Sequence, residues 1–394
     1  MTTEQLVDGW VPRHLPVTAR REGARAAYLG TCLALRRNPK RVHLVVSPAL
    51  AKHVPVAPSL VVTAARDLAD LVAAACPTPP QLVVGLAETA TGLAGLVADA
   101  LAPVDYIHST RMPGSAAGHR LSFREPHSHA TEHELRPSTR AFLEGRSSVV
   151  LVDDELTTGT TLGELVRALS SIASLRQVVV ATLVDARSSD RPLSVACASV
   201  GVDPIVVALQ RLHIEVAAEA AERARPWTEA AHADTQDKTL AAHDRVDTVD
   251  VPAPPQWARS GVPAGAYLSY ADRAAALLES TLPGSGTVHV VGVEEQIQLP
   301  VLIAERLARS RPDLRVLVSS TTRSPVVVLD APGYPIRDVV AFGGDQPRFL
   351  YNPVRDAECT VLLPDADGRI ASGLIAQLPA RVVRVRWGHV RRSP

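Results

Sequence analysis

Residues 149 to 161 read VVLVDDELTTGTT: an apolar run delivers two adjacent carboxylates and then a hydroxyl- and glycine-rich turn straight into a helix. Val149, Val150, Leu151 and Val152 carry branched side chains without a polar break. That is the pattern of a strand buried on both faces, as in a parallel sheet covered by helices. Asp153 and Asp154 then fall at the strand's carboxyl end. Beyond the turn, Leu162, Leu165, Val166, Leu169 and Ile172 recur at helical spacing, so Thr157 to Thr161 are expected to form the loop over the helix's first turn. Unpaired backbone N–H groups and the positive end of the helix dipole gather there, and a phosphate suits both. Thr157, Thr158, Thr160 and Thr161 each offer a hydroxyl donor, and Gly159 lets the backbone come close to an anion. The two carboxylates are suited to accept from vicinal ribose hydroxyls. A generic strand-to-helix crossover with a threonine-rich cap is the plain alternative.

At 394 residues the chain exceeds one ordinary core, and two domains are expected. Its 41 basic and 41 acidic residues advertise no nucleic-acid surface, and no apolar run is long enough to span a bilayer, so neither nucleic acid nor membrane is an expected partner. The opening MTTEQLVDGW lacks a basic and apolar signal region, which makes the cytoplasm the expected compartment. Cys32, Cys76, Cys197 and Cys359 lie far apart without paired-ligand spacing; buried free thiols are expected.

Strand signals alternate with helical stretches from RVHLVVSP through QLVVGLAETA, VDYIHSTRM, SVVLVDDE, QVVVATLVDA and DPIVVALQ. That alternation predicts an α/β fold with a Rossmann-like parallel sheet over residues 1–223. Residues 224–261, with clustered prolines and few apolar runs, are expected to be a linker. Residues 262–394 contain VHVVGVEEQ, RVLVSSTTRSPVVVLD, ECTVLLPDADG and RVVRVRW, a second, smaller α/β domain. This second region echoes the first. VVGLAETATGLAGLVADAL at Val83 and VVGVEEQIQLPVLIAERL at Val290 share a strand, a glycine, an acidic turn and a helix. STR at Ser109 to Arg111 is matched by TTR at Thr321 to Arg323, and 42 residues separate Arg111 from Asp153 as 42 separate Arg323 from Asp365. No threonine-rich turn follows VLLPD. The pattern is that of a degenerate copy, the alternative being chance likeness of α/β units.

Two further segments suit an anionic ligand. The turn GLAETATG, from Gly85 to Gly92, follows a buried strand and opens a helix, and its glycines permit tight backbone geometry near an anion. Glu88 there would hold the loop, a cation or a water-bound metal, or simply cap the helix. Arg111, at the end of the VDYIHST strand, has a guanidinium that matches phosphate oxygens, if it is not an ordinary surface arginine. Between that strand and the cradle, GHRLSFREPHSHATEHELRP brings Arg120, Arg124, His127, His129 and His133 close together in sequence. The three histidines could also converge on zinc, although their spacing is not a familiar zinc pattern.

The Asp pair with its threonine-rich turn resembles, through all thirteen positions, the phosphoribosyl pyrophosphate motif of type I phosphoribosyltransferases. The whole chain is similar to a bacterial family that joins such a domain to a TRSP domain, named for residues found here as Thr322, Arg323, Ser324 and Pro325. ETATGL, FREPHSHATEH, VDDELTTGTT and STTRSP fit that family. The resemblance implies a type I phosphoribosyltransferase fold and magnesium-dependent transfer of a 5-phosphoribosyl group to a nucleobase-like nitrogen nucleophile, with release of pyrophosphate. It implies donor binding by Asp153, Asp154, Thr157, Thr158, Gly159, Thr160 and Thr161, and pyrophosphate binding by Glu88, Thr89, Ala90, Thr91 and Arg111.

In such enzymes the segment from Gly118 to Pro137 is a lid, which gives Arg120, Arg124, His127, His129 and His133 the catalytic cationic role. Orotate enzymes use a lysine there; this loop has none. Purine salvage enzymes place a carboxylate where Thr157 stands here, so a strong proton acceptor is missing from the loop, as in orotate enzymes. Glu155 is the nearest spare carboxylate. Arg323 and Ser324, with Tyr334 and Arg337, offer an anion-recognising surface for the acceptor or an accessory role, against a purely structural second domain. The resemblance also implies an association with tellurite-resistance and stress gene clusters and a nucleotide-like product, and a homodimer is compatible with it. A regulator that binds phosphoribosyl pyrophosphate or a nucleotide without turnover is the alternative from another class.

Overall fold

The computed structural model describes residues 5–22, 24–38, 41–101, 104–113, 118–124, 132–230, 246–378 and 381–388. His127 and His129 of the expected lid lie outside them, as does 231–245 of the expected linker. The chain divides into two compact units that are not contiguous in sequence. One, here the cradle unit, comprises Val62–His213 and Pro254–Ser269; the other, the companion unit, comprises Met1–Val61, Ile214–Ala253 and Tyr270–Pro394. Val56 bridges to Val318 within the companion unit and Val262 to Tyr106 within the cradle unit, so each unit draws on separate stretches of sequence.

The amino-terminal segment carries β1 (Gln5–Leu6), α1 (Trp10–His14), β2 (Val17–Glu22), β3 (Cys32–Leu35) and β4 (His43–Val46). The RVHLVVSP run therefore forms only the short strand β4, which pairs antiparallel with β3 instead of joining the parallel sheet. Proline at position 48 ends it after four residues.

Then follow α2 (Pro58–Ala75), β5 (Leu82–Gly85), α3 (Thr91–Ala100), β6 (Asp105–His108), the hairpin β7 (Leu121–Arg124) and β8 (Glu132–Leu135), β9 (Ser148–Leu156), α4 (Thr160–Ser170), β10 (Gln177–Asp185), α5 (Arg191–Ala198) and β11 (Pro204–Val216). Within the cradle unit the parallel strands run in the order β11–β10–β9–β5–β6. Val149 to Val152 are fully buried, as a strand covered on both faces requires. Leu162, Leu165, Val166 and Leu169 put one stripe of α4 into the same core. The strand order reverses between β5, whose crossover leads to β6 on one side, and β9, whose crossover leads to β10 on the other. In open α/β sheets that switch point, at the strands' carboxyl ends, is where ligands bind.

The rest of the chain supplies α6 (Ala220–Thr228), β12 (Val246–Pro252), α7 (Ala266–Glu279), β13 (Gly286–Gly292), α8 (Gln298–Ser310), β14 (Leu314–Ser320), the hairpin β15 (Val339–Phe342) and β16 (Arg348–Tyr351), β17 (Cys359–Leu363), α9 (Ser372–Gln377) and β18 (Arg381–Gly388). The companion sheet is parallel, in the order β12–β18–β17–β13–β14. The proline-rich stretch thus contains a sheet strand, β12, at its carboxyl-terminal end. Cys197 and Cys359 are buried and Cys32 and Cys76 half-buried, all four as free thiols; burial pushes Cys32, Cys197 and Cys359 up to about 11.

The two units repeat one plan. Gly85 faces Val152 and His108 in its sheet; Gly292 faces Leu363 and Ser320. Leu86 N–H donates to Val152 O and Val293 N–H to Leu363 O, each at 3.0 Å, while Ser109 N–H donates to Gly85 O and Thr321 N–H to Gly292 O, each at 2.9 Å. Thr110 and Glu134 exchange backbone bonds, and so do Thr322 and Phe349. Ser109 Oγ accepts the Ala87 N–H at 2.9 Å and Thr321 Oγ1 accepts the Glu294 N–H at 2.8 Å. Thr110 Oγ1 accepts the Met112 N–H at 3.0 Å and Thr322 Oγ1 accepts the Ser324 N–H at 3.1 Å. Arg323 holds the place of Arg111, as the spacing predicts. One residue fewer before β17 sets Asp365 opposite Asp154, and Pro364 opposite Asp153.

Candidate active site

Strand β9 outruns β5. Its pairing with β5 ends at Val152, whereas its pairing with β10 continues through Leu156. Asp153, Asp154 and Glu155 are therefore strand residues, half-buried, with a paired neighbour on one side only. Alternation sends Asp153 and Asp154 to opposite faces of the sheet, and the Asp154 N–H donates to Asp153 Oδ1 at 3.0 Å.

Helix α4 begins at Thr160, so Thr160 and Thr161 are its first residues and not loop residues. Gly159 caps it at φ 72°, a left-handed conformation that glycine adopts without a Cβ penalty. A Cβ there would meet the Leu193 Cβ at 2.9 Å, so both backbone and neighbour demand glycine. Thr158 is exposed and Thr157 half-buried. The Thr158 and Thr160 hydroxyls lie 3.0 Å apart, and the Thr160 N–H donates to Thr158 Oγ1 at 3.3 Å.

Thr157, Thr158 and Thr160 line a cavity of about 550 Å³ with Arg167, Ser188, Ser189 and Arg191. Sequence patterning missed these last four, which come from α4, the segment after β10 and the first residue of α5; the SSDR run shortly after a strand was the available signal. Below them Arg187 grips Asp185 with two hydrogen bonds of 2.9 and 2.8 Å and pairs with Asp190. Burial alone would push the Asp185 carboxyl up, but the Arg187 contacts hold it below the ordinary range. The Arg187 clamp therefore keeps a negative charge and a fixed loop beside the threonine turn.

Across the switch point, Leu86 to Ala90 form the turn before α3. Its peptide bond between Ala87 and Glu88 is cis. Glu88 and Thr89 are half-buried at the tip, while Ala90 and Thr91 are buried; the Thr91 hydroxyl donates to Glu88 O at 3.3 Å. Gly85 is packed so closely that a Cβ would meet the Ala94 Cβ at 2.6 Å, which holds α3 tight against β5.

Arg111, half-buried, donates from Nε to His133 Nε2 at 2.9 Å. His133 Nδ1 faces Ser109 Oγ at 3.1 Å, and that oxygen also takes the Ala87 N–H. A guanidinium can only donate, so His133 Nε2 is an acceptor and the ring proton sits on Nδ1, donated to Ser109. His133 is thus a buried neutral link between Arg111 and the Leu86–Ala90 turn, 1% exposed on β8, not an open lid cation. Arg120 pairs with Glu134 at 3.2 Å, a carboxylate shared with Arg136 at 2.6 Å. Arg124 is exposed at the end of β7. The expected lid is therefore rooted in a β-hairpin. No group of three or more His, Cys, Asp or Glu side chains is placed to hold a metal among the described residues, and none of the described helices is long and apolar enough to cross a membrane.

In the companion unit Arg323 Nε reaches Glu294 Oε2 at 3.0 Å. Ser324 is held through its backbone, its carbonyl accepting from the Tyr351 hydroxyl at 2.8 Å. The Tyr334 hydroxyl is buried against Leu35 N–H and Val327 O, and Arg337 pairs with Asp330 at the surface. Arg323, Ser324, Tyr334 and Arg337 are each committed to these contacts, and no common anion-recognising surface is assembled from them.

The chain matches the family model described as phosphoribosyl transferase over residues 31–211 and that of the TRSP domain, carboxyl-terminal to that transferase, over residues 264–377. None of the curated proteins compared with the chain matches it. Among solved structures, adenine phosphoribosyltransferase from Thermoanaerobacter pseudethanolicus is similar at 21% identity, over 37% of this chain and 80% of that one, with a TM-score of 0.29. The Trypanosoma brucei adenine enzyme in complex with AMP, pyrophosphate and ribose-5-phosphate is similar at 15% identity, over 48% and 79%, with a TM-score of 0.35. The orotate enzyme from Aeropyrum pernix is similar at 25% identity, over 38% and 71%, with a TM-score of 0.24. The chain thus carries a phosphoribosyl transferase family domain over residues 31–211, followed by a TRSP domain over residues 264–377.

Proposed function

We propose that the enzyme transfers the 5-phosphoribosyl group of phosphoribosyl pyrophosphate to a nitrogen of a nucleobase-like acceptor and releases pyrophosphate. The observation that carries this reading is the switch point between β5 and β9, with the Asp pair and threonine turn on one side and the Leu86–Ala90 turn on the other. Asp153 and Asp154 take the ribose hydroxyls, while the Thr157–Thr161 hydroxyls and the N–H groups at the start of α4 take the 5-phosphate. The turn from Glu88 to Thr91, with Arg111, takes the pyrophosphate. As the bond from ribose C1 to the pyrophosphate oxygen lengthens, negative charge grows on the leaving group, and donors already fixed in place stabilise it without reorganising. His133 and Ser109 hold Arg111 in register with that turn.

The donor set suits magnesium bound mainly through ligand oxygens and water: carboxylates stand at both edges of the site, and a cage of protein ligands is not required. Glu88, Asp153 and Asp154 would hold it through water. When bound, the ion supplies neutralisation of the pyrophosphate oxygens. With Thr157 where a carboxylate would stand, the threonine loop itself holds no strong proton acceptor, and Glu155 on β9 is the nearest carboxylate, which favours an acceptor whose nitrogen is already acidic. We place the product, a nucleotide-like metabolite, in the stress or tellurite-resistance setting of the family it resembles, and the protein in the cytoplasm.

Pyrophosphate release measured with phosphoribosyl pyrophosphate, magnesium and a panel of nucleobases and heterocyclic nitrogen acids tests the reading. Release that depends on one class of acidic heterocycle is expected. Tight donor binding with no release for any acceptor would replace the transferase reading with that of a phosphoribosyl pyrophosphate sensor.

A further inference from the structure

We propose that the companion unit contains a second pyrophosphate-type pocket that is closed by the protein's own carboxylate, with Glu294 standing where the anion would lie. The inference concerns the companion unit alone and borrows from the proposed function only the choice of probe.

The equivalence of the two turns is set by hydrogen bonds. In the cradle unit, the residue whose N–H meets the Ser109 hydroxyl is Ala87, whose methyl group brings no charge of its own to the turn. In the companion unit the residue whose N–H meets the matching Thr321 hydroxyl is Glu294. The side chains that face the two turns correspond in position too. Arg323 follows Thr322 as Arg111 follows Thr110, and Arg348 precedes Phe349 on β16 as His133 precedes Glu134 on β8. In the cradle unit Arg111 is tied to a neutral imidazole. In the companion unit both positions are arginine, and both guanidinium groups turn onto one carboxylate, Arg323 Nε to Glu294 Oε2 at 3.0 Å and Arg348 Nε to Glu294 Oε1.

Glu294 is 9% exposed and sits at φ 60°, a region that non-glycine residues seldom occupy unless their surroundings impose it. The Thr321 hydroxyl and the two arginines are those surroundings. A guanidinium fork recognises carboxylate and phosphate oxygens alike, so the side chain satisfies the site that an anion would otherwise fill. The strand β17 is followed by Pro364, Asp365, Ala366, Asp367 and Gly368, without threonines. The pocket therefore has a pyrophosphate half and no ribose-phosphate half, and the anion class that fits it is inorganic pyrophosphate rather than a phosphoribosyl donor.

The test is a calorimetric titration of the full chain with magnesium pyrophosphate, comparing the wild type with Glu294→Gln. Glutamine keeps the length and removes the charge. The variant is expected to bind one equivalent more than the wild type, and the extra equivalent to disappear in Glu294→Gln combined with Arg323→Gln and Arg348→Gln. Equal stoichiometry in the wild type and a folded Glu294→Gln overturns the proposal. Wild-type crystals soaked with pyrophosphate need no variant. Glu294 still lodged between Arg323 and Arg348 supports the proposal, and pyrophosphate seated on those arginines with Glu294 displaced overturns it. A wild type that binds no pyrophosphate at all counts against the cradle in the other unit and leaves the difference between variant and wild type to decide this one.

Discussion

His133 shows how one buried side chain can set the geometry of a charged neighbour. Its Nε2 can only accept from Arg111 and its Nδ1–H is directed to Ser109, so it ties the guanidinium to the turn across the switch point. Hydrogen bonds to charged groups are worth about 1.5–3 kcal/mol, so His133→Leu is expected to lower kcat/KM for the donor by roughly 10- to 100-fold. His133→Gln, which can still place an acceptor near the Nε2 position, is expected to recover part of that loss. Steady-state kinetics with both variants decides it: equal loss in the two would mean that the ring matters only as packing. The position was readable from the chain in one respect. Glu132, His133, Glu134 and Leu135 alternate exposed, buried, half-buried and buried, the period of a strand, but the cluster of histidines before them drew attention to a loop. Arg111 was legible because it follows a strand signal directly; its imidazole partner was not, since a contact 22 residues away leaves no local mark.

At the scale of elements, the strand, turn and helix of the cradle were legible almost in full, because burial on both faces, glycine and helical periodicity each leave their own pattern. What escaped was the length of β9. Asp153, Asp154 and Glu155 read as a strand end because they are polar, yet β10 beside them, as long as β9 itself, continues to supply backbone partners. The turn itself depends on Gly159. A Cβ at φ 72° with the Leu193 Cβ at 2.9 Å strains both backbone and packing, so Gly159→Ala is expected to cost about 1–3 kcal/mol of stability. Urea unfolding should show the lower midpoint, and donor binding should weaken as well, because the N–H groups at the start of α4 shift with the cap. A variant as stable as the wild type would mean that the turn tolerates another backbone and does not need this geometry.

At the scale of the whole molecule, the repeat was visible as paired strand-turn-helix segments and as matching STR and TTR tripeptides. The hydrogen bonds establish it and move the match at the third strand by one residue. Two pairings left no trace in the sequence. Val262, ahead of α7, pairs with Tyr106 on the edge of β6, and Val56, ahead of α2, pairs with Val318 on the edge of β14. Each half's leading segment is thus paired with an edge strand of the other half of the sequence. Local periodicity cannot report such long-range pairing, so the discontinuity of the two compact units leaves no mark in the sequence. The same comparison separates the two carboxyl ends chemically: one keeps paired aspartates and a threonine turn, the other a carboxylate clamped by two arginines. Donor binding should therefore belong to the first alone. The most direct check is calorimetric titration with phosphoribosyl pyrophosphate and magnesium of the wild type and of Asp153→Asn combined with Asp154→Asn. A single site in the wild type, weakened by about 100-fold or more in the double variant as two charge-assisted contacts are lost, is the expected result. Unchanged donor affinity in a folded double variant would contradict it.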